Sequence, residues 1–77
     1  MLPILYVRWL DAHSSTEGWT ALDTVSGEDR IIESVGFHVK GAHKGHIVLA
    51  LNLDTATDHV GNLIHIPKVN VIEKRFL

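Results

Sequence analysis

Cysteine is absent from all 77 positions, which removes disulfides, thiolate nucleophiles and every cysteine-based zinc site from the chemistry open to this chain. Aromatic residues make up only 6% of it and proline occurs twice, at Pro3 and Pro67. Neither sign of charge dominates: seven Lys and Arg stand against nine Asp and Glu, a formal net charge of −2. That balance lacks the broad positive field that drives binding to a phosphate backbone, so nucleic acid is not a favoured partner. Low-complexity runs are missing as well. The one apolar stretch at the start, residues 1–10, has no basic flank before it and is broken by Pro3 and Arg8, with Asp11 following. It is read as neither a signal peptide nor a membrane span, and the expected location is the cytoplasm.

What is present is apolar material: 45% of the residues are hydrophobic, enough for a core and too much for a disordered segment. The length allows one domain, residues 1–77, and no second lobe. A chain this short buries only about 60% of the surface it exposes when unfolded, so association with further copies would add stability, and a homo-oligomer is expected.

Period-two alternation organises most of the chain into strands. Residues 4–11 are rich in β-branched and aromatic side chains, with Leu5, Val7 and Trp9 on one side. A small polar stretch follows, then residues 19–25, which have the length of a short helix stopped by Ser26 and Gly27. Residues 31–40 place Val35, Phe37 and Val39 on one face, and residues 46–53 place Ile47, Leu49 and Leu51 together. Joined through residues 41–45, these make a hairpin; opposing Lys40 to His46 sets Phe37 across from Leu49 and collects all six apolar residues in one core. Residues 54–62 read as a turn-rich loop, residues 63–66 as a short fourth strand ended by Pro67, and residues 69–76 as a fifth. The expected fold is all-β with one short helix: a small five-stranded SH3-like barrel or a strongly bent meander, with an OB-like arrangement as the alternative.

Val7, Trp9 and Asp11, the pair Gly18 and Trp19, the triplet Ser34, Val35, Gly36, and Ile66-Pro67-Lys68 leading to residues 71–75 together resemble a group of small bacteriophage-encoded proteins. The resemblance spans most of the chain and implies an accessory phage protein in the bacterial cytoplasm. It supplies no catalytic residues, and residues 54–60 fall outside it.

Chemistry-bearing clusters are sparse. His38, His43 and His46 gather around one hairpin, but no His-x-x-x-His helix or well-spaced carboxylate supports a metal, so no metal or other cofactor is expected. Asp58 and His59 are the only adjacent acid and imidazole; with no framed nucleophile the chain is read as a non-enzyme. Residues 41–45 lack the Lys-Ser and helix of a phosphate loop and read instead as a turn with positive φ at its ends. The hairpin's polar face is more informative. His38, Lys40, Lys44 and His46 concentrate donors there, and Lys68, Lys74 and Arg75 add cations near the C-terminus, of which Lys68 and Arg75 complete the candidate anion site. Trp9 and Trp19 offer aromatic planes for a base, although core positions suit them better. Histidines that charge below about pH 6.5 are expected to strengthen such a site.

These features order three functions. The first is a non-enzymatic phage accessory protein that binds and sequesters a host ligand, such as a nucleotide-type defence signal. The second is a protein-interaction module inhibiting a host enzyme through a strand edge or apolar patch. The third is a small-barrel nucleic-acid binder, against which the acidic balance counts.

Overall fold

The computed structural model describes residues 2–12 and 29–77; the expected helix at 19–25, and Trp19 with it, lie outside them. The chain runs β1 (Ile4–Ala12), β2 (Asp29–His38), β3 (His46–Asp54), β4 (His59–Pro67), a single 3-10 turn (Lys68–Asn70) and β5 (Val71–Phe76). All five strands form one antiparallel sheet in the order β4-β3-β2-β1-β5. The protein is a small all-β fold, and its sheet is open rather than closed into a barrel. Among the described residues no helix is long and apolar enough to cross a membrane.

Strand positions follow from β-branched and aromatic content, and the turns from local backbone chemistry. Gly41 and Gly45 adopt φ of 74° and 75° at the β2–β3 turn, where a side chain would be strained. Asp54 begins the β3–β4 turn by accepting a hydrogen bond from the Ala56 N–H at 3.0 Å, an Asx turn, and Asp58 takes a positive φ of 54°. That turn is tighter than a reading of residues 54–62 as loop implies: β4 already starts at His59, because pairs from Asp54↔His59 onward extend the ladder.

The main buried cluster lies on one face. Leu5, Val7 and Trp9 of β1 meet Ile47 and Leu49 of β3 and Ile66 of β4, with Ile32 and Val71 packed against them. Each large side chain so buried contributes about 1.5–3 kcal/mol of transfer free energy. The hairpin register differs by one residue from the expected one: Phe37 opposes Ala50 and His38 opposes Leu49. Ile47 and Leu49 are buried as expected, whereas Val35 is 54% and Leu51 66% exposed, and Phe37 and Val39 are only partly covered. A one-residue slip sends a strand's whole alternating set to the other face. The long β1–β2 ladder, from Ile4↔Phe37 to Ala12↔Asp29, imposes it by opposing Leu5 to Gly36 and Val7 to Ser34. Even-numbered residues of β2 therefore face the core.

Candidate anion-binding site

His38 closes β2 on the core face, opposite Leu49, and its N–H bonds to the Pro3 carbonyl at 2.8 Å. From across the sheet comes Phe76, which opposes Leu5 and lies with its ring centroid 5.8 Å from that of His38, the planes tilted by 53°. Lys74, two residues before Phe76, opposes Val7 and so emerges on the same face. Lys40 follows His38 by two positions. Lys68 starts the 3-10 turn, its N–H held by the Gly45 carbonyl at 2.9 Å. The charges acting on His38 are all positive: partial burial first, then Lys74, Lys40 and Lys68, hold its imidazole below the ordinary value of 6.5.

His38 thus feels the charge of two other candidates, Lys40 and Lys68, and the β1–β5 ladder adds Lys74 and the Phe76 ring. Their arrival depends on β5 lying beside β1, which nothing in local spacing announces; alternation alone places Lys74 and Phe76 on a common side. Arg75 goes elsewhere, its guanidinium 4.8 Å from the Tyr6 ring centroid on the opposite face. Trp9 is not a stacking platform for a ligand. It is 9% exposed in the core, its indole N–H donating to Ser34 Oγ at 3.1 Å. Lys44 is exposed on the turn.

His46 belongs to a second cluster. It stacks on His43 at 3.7 Å between centroids, 6° from parallel, and its Nδ1 lies 3.0 Å from the Lys44 carbonyl. His43 Nδ1 lies 3.0 Å from His65 Nδ1, so one of the two rings carries the shared proton. Lost hydration, then the neighbouring His46 and His65, lower the His43 pKa. No group of three described His, Cys, Asp or Glu side chains is arranged to hold a metal ion.

Both shifted imidazoles destabilise the fold on acidification. Their folded pKa values lie below 6.5, so the unfolded chain takes up protons first as pH falls, and stability declines from about pH 6.5 down through the folded values. A scan of melting temperature from pH 7.5 to 5 should show a fall that is shallower in His38→Gln and His43→Gln variants. Identical slopes in all three proteins would contradict the placement of these rings.

No protein-family model, no curated protein and no solved structure matches this chain.

Proposed function

We propose that this protein is a non-enzymatic binder of a small anionic ligand with a planar apolar part, of which a nucleotide is the type. The observation that carries this reading is the Phe76 ring packed beside His38, in a residue 61% exposed, where the positive charges of Lys74, Lys40 and Lys68 act on the imidazole. Lysines supply point charge to phosphate oxygens, and an exposed aromatic ring next to them offers a stacking surface. A bound phosphate favours the charged imidazole that the lysines disfavour, so affinity rises with acidification until the pH falls below the depressed value of the free His38. On the resemblance of its sequence motifs to small phage proteins, we propose an infected bacterial cytoplasm as the setting of such a binder and the holding of a nucleotide-type host signal, without altering it, as its use.

The test is calorimetric titration of the full chain with mononucleotides, cyclic dinucleotides and inorganic phosphate at two ionic strengths. Binding of at least one nucleotide is expected, weakening with salt as exposed charges are screened. Lys40→Glu with Lys74→Glu should lower affinity more than tenfold while leaving the melting temperature near the parent's, and Arg75→Glu should change it little. Equal affinity in the double variant, or no heat with any of these ligands, would remove the reading and leave inhibition of a host protein as the better one.

A further inference from the structure

The sheet has two edges, and they are built differently. Natural edges are usually protected by charged side chains, proline, bulges or short length. β5 is so protected: six residues long, it carries Glu73, Lys74 and Arg75 in succession, and its ladder with β1 is broken by a register shift between Arg8 and Trp9. β4 is nine residues long, His59–Pro67, and contains no Asp, Glu, Lys or Arg. Its protection consists of Pro67 at the very end and a positive φ of 56° at Asn62. Among the described residues no strand pairs with its outer side.

The neighbourhood of that edge is also short of cover. The β2–β3 ladder is confined to Phe37↔Ala50 and His38↔Leu49, so β3 beyond Ala50 continues with β4 alone as a two-stranded ribbon. Isolated two-stranded ribbons are marginal in water, and three or more strands with an apolar face are needed. Apolar side chains sit uncovered on both faces: Leu63 at 45% exposure and Ile64 at 38% point to opposite sides, and Leu51 is 66% exposed. The molecule is correspondingly long, 53 × 24 × 19 Å with a Cα radius of gyration of 15.6 Å, where a compact chain of this length has about 11.5 Å.

We propose that the β4 edge is an interface for a second copy of this chain, whose own β4 adds antiparallel across a two-fold axis normal to the sheet. Like strands meet without like charges, since β4 has none, whereas a β5–β5 contact would crowd Lys74 and Arg75 against their copies. A dyad normal to the sheet keeps each face on its own side, so directly opposed residues have the same parity and the pairing is centred on a residue, Leu63 or Ile64. Either choice sets apolar side chains together on both faces and makes the two ribbons the halves of one four-stranded segment. The contact is isologous and closes at two copies, which limits growth into fibres. It does not depend on the anion site, which β4 does not contribute to.

Sedimentation of the full chain across a wide concentration range should show twice the chain mass, and Leu63→Lys, which sets a charge on the edge, should shift it to the monomer. Because the chain has no cysteine, Leu63→Cys and Ile64→Cys each report the contact directly. Mild oxidation should give a covalent dimer from one or both, and far less from Val69→Cys, which is 93% exposed but off the edge. Nucleotide binding read on the same samples separates this proposal from the anion site. A monomer at the highest concentration would overturn it and leave the edge to a foreign strand, as would a dimer indifferent to Leu63→Lys or equal cross-linking at all three positions; should Leu63→Lys not fold, the cysteine pattern alone decides.

Discussion

Leu49→Ala should destabilise the protein by about 2–5 kcal/mol, the range for removing a buried leucine side chain and leaving part of its space unfilled. Leu49 is 1% exposed and stands at the centre of the core, among Leu5, Val7 and Ile66. Val35→Ala is the informative partner. An alternation-based hairpin puts Val35 in the same core, so both truncations would be costly, whereas its observed exposure of 54% predicts a loss closer to about 0.5 kcal/mol. Urea denaturation of parent and variants measures the difference, provided the slopes agree so that the midpoints report stability. Equal losses would mean that β2 is inserted with its odd-numbered residues inward.

The second large effect is expected from a substitution that local propensity favours. Alanine suits a strand interior better than glycine, yet Gly36→Ala should cost about 1–3 kcal/mol, the range for forcing extra volume into a packed site. A Cβ at position 36 would lie 2.8 Å from the Ala50 carbonyl oxygen and 3.1 Å from the Leu49 Cβ. The obstructing atom is main chain in a paired strand and cannot swing aside, so β2 and β3 would have to separate where their short ladder holds them. Gly61→Ala is the control, since the nearest atom to its added Cβ is the Asn52 Cβ at 4.0 Å, an ordinary contact. Each kcal/mol lost should lower the melting temperature by about 4–8 °C in a domain this small. A Gly36→Ala protein that melts with the parent would show that β2 and β3 are not in close approach there.

Gly36 also explains why the face of β2 was hard to read. Val35, Phe37 and Val39 outnumber the apolar residues of the other parity, where Ile32 stands with Ser34, Gly36 and His38, and counting favours the wrong side. Ser34 is there to accept from the Trp9 indole and Gly36 to let β3 approach, both tertiary reasons. β3 is ambiguous for a different reason: Val48 and Ala50 are as buried as Ile47 and Leu49, so its apolar run has no parity to detect. The candidate site was half legible. His38 and Lys40 are two positions apart where β2 ends and Lys68 belongs to the signal of a proline break, but Lys74 and Phe76 join them only through the β1–β5 ladder. His65 reaches His43 across 22 positions, because the β3–β4 ladder brings it opposite Val48.

By itself, then, the amino-acid sequence determined a small all-β fold without thiol chemistry, and the starts of β1 and β3 and the end of β5, because strand propensity, turn chemistry and composition act over neighbouring residues. Only the tertiary structure decided which parity of β2 faces inward, that the sheet stays open with an uncharged edge at β4, and which cations surround His38. Those depend on ladders between strands distant in sequence, whose register is a collective minimum of pairing and packing that no single segment encodes.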